Sequence, residues 1–194
     1  MKIVPTELEG VQIIEPGVFA DERGFFMESF HIRRYREAGI NTEFVQDNIS
    51  RSVRNTLRGL HYQHPNDQAK LVQALEGEIY DVAVDIRRGS PTFGRWVDVV
   101  LSDQNRRQFY IPAGFAHGFC VLSASALLLY KCSDFYTPET EGGICWDDPD
   151  LAIPWPVRSP ILSRRDSRFT PLRHVAAHRL PAYRGSCEST DYRS

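Results

Sequence analysis

An alternation of period two runs from Lys70 to Ser133 and is cut at short intervals by turn residues. This pattern constrains the fold more than any other feature. Lys70–Leu75 and Glu78–Ile86 flank Glu76-Gly77, which reads as a tight hairpin turn. In the second of these segments Tyr80, Val82, Val84 and Ile86 share one face, and Asp81, Ala83 and Asp85 share the other. Trp96–Leu101 is a further strand, closed by Ser102-Asp103-Gln104-Asn105. Gln108–Ile111 is broken by Pro112-Ala113-Gly114, and Ala116–Leu122 and Ala126–Ser133 complete the run. Short strands at near-regular spacing predict an all-β sandwich or barrel. Ser29–Ala38, stopped by Gly39, reads as a short helix. The prolines between Pro149 and Pro160 exclude regular structure there. Beyond Leu172 the chain turns polar, so the expected organisation is one domain over 1–172 and a peripheral tail over 173–194.

Composition narrows the function classes. A net charge of −2 offers no basic field for nucleic acid or acidic lipid. No apolar run approaches the ~18 residues of a membrane span. The segment MKIVPTELEG lacks a secretory apolar core, because Glu7 and Glu9 arrive too early. Cys120, Cys132, Cys145 and Cys187 show neither CxxC spacing nor disulfide density, and they read as reduced thiols with packing roles in the cytoplasm. Neither a Gly-rich nucleotide loop nor a GxSxG elbow is present.

Two stretches carry the chemistry: Arg58-Gly59-Leu60-His61-Tyr62-Gln63 and Pro112-Ala113-Gly114-Phe115-Ala116-His117-Gly118-Phe119. Each sets a histidine among glycines and aromatics. Imidazole exchanges protons near neutral pH and suits general base work in an apolar pocket. His61 is either such a base or a core histidine bonded to backbone. Lys70 follows the turn signal His64-Pro65-Asn66-Asp67, so it can return beside His61 on an adjacent strand. If it faces inward, it is a buried cation that needs an answering anion, such as a phosphate or a developing enolate. If it faces outward, it is an ordinary strand-end lysine. Regular alternation puts Arg58 and His61 on opposite faces, and a bulge at Gly59 would bring both inward. His117 is a second candidate, with a structural role as the alternative. Tyr130 ends an apolar strand and is either a packing group or a proton donor. Asp166 lies in an exposed-looking segment; it has the charge to orient His61 and stabilise an imidazolium. His31, His64, His174 and His178, and the pairs Arg33-Arg34 and Arg87-Arg88, read as solvated.

Several motifs in order resemble the dTDP-4-dehydrorhamnose 3,5-epimerase family. They are RGLHYQ at 58–63, KLV at 70–72, GEIYDV at 77–82, DIR at 85–87, SPTFG at 90–94, IPAGFAHGF at 111–119, WDDP at 146–149, Trp155-Pro156 and Leu162-Ser163-x-x-Asp166. The resemblance runs from about Ile13 to Leu172. It implies a cupin-like jelly roll (a double-stranded β-helix) with a few short peripheral helices. It also implies a cytoplasmic homodimer and a reaction that needs no cofactor.

The implied activity inverts C3 and C5 of dTDP-4-dehydro-6-deoxy-D-glucose. The implied catalytic set is His61 as base held by Asp166, Tyr130 as acid, and Lys70 steadying the enolate oxygen. Substrate contacts fall to Arg23, Glu28, Gln46, Asp47, Asn48, Arg58, His117, Glu141 and Arg165, with Phe26 packed near the base. Arg165 stands where the family often has lysine. Arg23 would reach across the dimer. Metal-binding cupins carry an HxH pair and a glutamate, whereas this chain has His61-Tyr62-Gln63 and an ammonium at Lys70, so no metal is expected. The alternatives are an epimerase of C3 or C5 alone, a catalytically silent sugar-nucleotide-binding cupin, and a metal-dependent cupin oxygenase.

Overall fold

The computed structural model describes residues 1–185, so Cys187 and the rest of the expected tail lie outside the described residues. Its strands are β1 (Lys2–Pro5), β2 (Gln12–Glu15), β3 (Val18–Asp21), β4 (Gly24–Met27), β5 (Gln46–Val53), β6 (Leu57–Gln63), β7 (Lys70–Glu76), β8 (Glu78–Asp85), β9 (Trp96–Ser102), β10 (Gln108–Ile111), β11 (Phe115–Val121), β12 (Ser125–Cys132) and β13 (Glu141–Gly143). One α-helix, α1 (Ile32–Glu37), is shorter than the sequence pattern predicts, because Ser29 to His31 lie outside it and His31 enters it in extended conformation. Three single 3₁₀ turns follow β13.

Two antiparallel sheets pack face to face as a jelly roll. One has the order β1-β2-β10-β7-β12-β5, the other β13-β6-β11-β8-β9, and β3–β4 form a separate hairpin. The alternation explains this layering. From β8, Ile79 and Ala83 join Val72, Leu101, Phe109 and Leu128 in the core between the sheets. Val82, Val84 and Ile86 point the other way, into a second cluster under the chain from Ile144 to Leu180. The six-stranded sheet is covered on its outer face by α1, where Tyr35 and Ile40 pack on Ile14, Leu71 and Tyr110. Burying each such side chain contributes about 1.5–3 kcal/mol, so both faces of the central strands are stabilised.

The chain after Leu172 packs onto the domain through residue 183. Leu180 is buried, the Arg88 N–H donates to Pro181 O at 2.8 Å, and the Tyr183 N–H donates to Arg88 O at 2.9 Å. Arg87, expected to be solvated, is instead sandwiched between the rings of Phe115 and Tyr183 and paired with buried Asp85.

Candidate active site

The interior between the sheets is filled by hydrocarbon over only part of its length. Along β12, Ala126 and Leu128 belong to the core, and Tyr130 and Cys132 line a cavity of about 350 Å³. On β7 the same change separates Val72 from Lys70. Cys132 and Lys70 are direct cross-strand partners. The six-stranded sheet therefore supplies Tyr130 and Lys70, and the five-stranded sheet supplies His61, Arg58 and His117 from β6 and β11.

A bulge at Gly59 puts both Arg58 and His61 into this cavity. His61 pairs with His117 and Arg58 with Phe119, so β6 spends one more residue than β11 over the same length. Gly59 has φ +112°, and a Cβ there would lie 2.5 Å from the His117 carbonyl oxygen. Only glycine fits both the conformation and the space. The extra residue breaks the alternation, and the two side chains converge.

His61 Nε2 lies 2.6 Å from Asp166 Oδ1. Asp166 is 3% exposed, contrary to its exposed-looking sequence context, and its backbone N–H donates to Ser163 Oγ at 3.0 Å. Burial pushes its carboxyl up, but the hydrogen bond and charge of His61, together with Ser163 and Arg165, outweigh that and hold it below the usual carboxylate range. An ionised carboxylate only accepts, so His61 Nε2 carries the hydrogen, and in the neutral imidazole the lone pair is on Nδ1. The ring packed edge-on against His61 is Phe169, at 5.8 Å between centroids. Phe26, expected in that place, is 69% exposed on the β3–β4 hairpin of this chain.

A second pair stands beside the first. His117 Nε2 lies 2.7 Å from Oδ1 of fully buried Asp81. Burial pushes the His117 imidazolium down, and Lys70 and His61 add to this, against the pull of Asp81. Sequence reading placed Asp81 on a shared face with Ala83 but gave it no role. A carboxylate in the middle of an apolar strand was the available signal.

Lys70 is half-buried, and desolvation pushes its ammonium below the usual lysine range, against the pull of Cys132, Glu141 and Asp81. Burial pushes the Tyr130 phenol up, with Cys132 and Glu141 adding and Arg58 opposing, so it stays protonated through the neutral range. At the cavity mouth the Glu141 carboxylate accepts from Arg165 and from the Tyr136 hydroxyl, the latter at 2.6 Å. Gln46 and Asn48 line the same cavity. The Gln46 amide oxygen also holds the Tyr136 N–H at 3.0 Å. Tyr136 and Cys132 are lining residues that sequence reading missed. Among the described residues, no three His, Cys, Asp or Glu side chains form a metal-ligating group.

Four expected contacts do not line this cavity. Arg23 pairs with Asp21 on the exposed hairpin, as does Glu28 with Arg34 beside it. Phe26 projects from that hairpin. Asp47 alternates to the outer face of β5, where it pairs with Lys131. His64, read as solvated, is half-buried and pairs with Asp67.

Comparison with known proteins agrees with this geometry. The profile of the dTDP-4-dehydrorhamnose 3,5-epimerase family matches residues 5–174. A dTDP-4-dehydrorhamnose 3,5-epimerase of Shigella flexneri is 56% identical over 168 residues, 86% of this chain and 93% of that protein. A dTDP-4-dehydrorhamnose 3-epimerase of Streptomyces niveus is 42% identical, over 97% of this chain and 92% of that protein. The solved structure of dTDP-6-deoxy-D-glucose-3,5-epimerase from Legionella pneumophila, in complex with dTDP-4-keto-L-rhamnose, superposes with a TM-score of 0.92 at 54% identity. That match covers 95% of this chain and 99% of the other.

Proposed function

The chain belongs to the dTDP-4-dehydrorhamnose 3,5-epimerase family, and from that premise we propose how its residues do the work of an isomerase of this class. The substrate is dTDP-4-dehydro-6-deoxy-D-glucose and the product dTDP-4-dehydro-L-rhamnose. The C4 ketone acidifies the hydrogens at C3 and C5. His61 Nδ1 takes one of them, the C–H electron pair moves into the ring, and the C4 oxygen becomes an enolate. Asp166 keeps the imidazole oriented and stabilises the imidazolium. Lys70 offsets the enolate charge, an effect worth about 3 kcal/mol or more for a well-placed donor. Tyr130 then returns a proton to the same carbon from the other face. The enolate collapses to the ketone, Tyr130 recovers its proton from solvent and His61 releases one. Repetition at the second carbon completes the conversion.

One observation carries this reading: the base and the acid are on different sheets, with the cavity between them. A sugar ring held there has His61 on one side and Tyr130 on the other, which is what inversion needs. Arg58 and Arg165 at the cavity supply planar donors for the diphosphate.

The protein works as a cytoplasmic homodimer. Phe19, Phe25 and Phe26 on the hairpin and Ile49 and Val53 on β5 expose large apolar surface, which supports a second copy as their cover. That copy would receive Arg23 and Phe26 in its cavity.

Solvent deuterium tests the reaction. The protein with substrate in D2O should place label at both C3 and C5 by NMR. Label at one carbon alone would support the single-centre reading, the activity for which the Streptomyces niveus relative is named. No label at either would overturn both.

A further inference from the structure

The segment from Val175 to Tyr183 lies beyond the family profile, which ends at residue 174, yet its Arg179 bonds the strand that carries Glu141, a residue of the cavity lining. Its anchor is the Arg87-Arg88 pair. Tyr183 stacks on the Arg87 guanidinium at 4.9 Å, and Arg88 bonds the backbone of Leu180, Pro181 and Tyr183. Leu180 is buried with Leu151 and Leu172. Between these anchors and the domain, the Arg179 guanidinium is left facing β13.

β13 is a three-residue edge strand that, among the described residues, pairs only with β6, placing Gly142 opposite Tyr62 and Gly143 opposite His61. Antiparallel ladders alternate inward and outward backbone groups. The Thr140 and Ile144 carbonyls accept from His64 and Leu60 of the β6 chain, so the Glu141 carbonyl points outward, where no strand meets it. Arg179 Nη2 donates to that carbonyl at 2.9 Å. The same guanidinium neighbours the Tyr62 phenol, which burial pushes up and Arg179 pulls back. The Tyr62 ring in turn fills the space a Gly142 Cβ would need, and Phe169 does the same at Gly143. Among the described residues, the free edge of β13 is thus held by the Arg179 guanidinium.

We propose that Arg179 is a positioning residue for the epimerisation: by capping the Glu141 carbonyl it fixes β13, and with it the Glu141 carboxylate that faces the sugar nucleotide at the cavity mouth. The inference rests on the functional reading above. It assigns the C-terminal segment a part in substrate affinity, apart from any part in folding. Glu141 binds and does not exchange protons, so its displacement acts on affinity and leaves the chemical step alone.

Steady-state kinetics on the full chain test this. Arg179→Ala should raise KM for the dTDP-4-ketosugar about fivefold, the consequence of one lost hydrogen bond of ordinary strength, with kcat within about twofold of wild type. Arg179→Lys, which still donates to the carbonyl, should recover most of the affinity. Tyr183→Ala is the control for stability, since it loosens the anchor without touching Glu141; it should lower Tm and leave KM near wild type. Equal loss of kcat and KM in Arg179→Ala, or a KM that follows Tm across all three variants, would overturn the proposal. Wild-type protein that fails to epimerise would overturn the functional reading instead.

Discussion

At the residue scale, the site sets desolvated groups against their own stability. Lys70 is the clearest case, because desolvation disfavours its charge. Lys70→Met should therefore stabilise the fold by about 1 kcal/mol near neutral pH, or roughly 2–4 °C in Tm, and remove most activity. The sign with pH follows from the lowered folded value. The unfolded chain holds this proton more tightly, so the wild-type penalty is full below the folded pKa and disappears as pH rises toward the unfolded value. The Tm difference between variant and wild type should shrink in alkaline buffer. A variant less stable at every pH would show the ammonium to be a net stabiliser. Tyr130→Phe separates acid from base: wash-in of deuterium at C3 should persist, and product should fall at least about a hundredfold. Undiminished turnover would remove Tyr130 from the proton path. His61, Lys70 and Tyr130 were legible in the sequence because each interrupts an apolar or glycine-rich stretch. Asp81 was not, since a strand carboxylate announces no partner until the neighbouring strand's register is known.

At the element scale, one backbone irregularity decides whether the site exists. The bulge at Gly59 turns Arg58 and His61 to the same side of β6. Gly59→Ala would put a methyl against the His117 carbonyl in a conformation that side chains avoid, at a cost of about 3 kcal/mol. The urea midpoint should fall accordingly, with activity lost even where the fold persists. An unchanged midpoint would mean that β6 relaxes around the methyl. The strands from Lys70 to Ser133 match the alternation to within a residue or two at each end, because β7, β8, β10 and β11 are buried on both faces and β9 and β12 on one, which fixes the register. The edge strands β1, β5 and β13, and β2 beside β1, were illegible. They are short or one-sided, and their pairing comes from the sheet they join. Asp166 was named as the partner of His61, and only its burial was illegible: a 3₁₀ turn among polar residues gives no hint that the His61 side of it is buried.

At the scale of the whole molecule, Arg23 and Phe26 stand on a hairpin away from the cavity of their own chain. If a second copy supplies them, two dead variants should complement. Mixed Arg23→Ala and His61→Ala proteins, refolded together, form hybrids with one intact site, and about a quarter of wild-type activity should return. No recovery would place Arg23 in its own subunit's chemistry. The sequence could not locate this hairpin, because its exposed phenylalanines follow no periodic face. One further consequence follows from how β7 and β12 run from packed hydrocarbon at Ala74 and Ala126 to an unfilled hollow at Lys70 and Cys132. Amide protons should be retained longest near Ala74 and Ala126 and surrendered first near Lys70 and Cys132, so the barrel loosens like a zip from its working mouth. A bound nucleotide sugar would close that zip, so occupancy of the site should slow unfolding from this end.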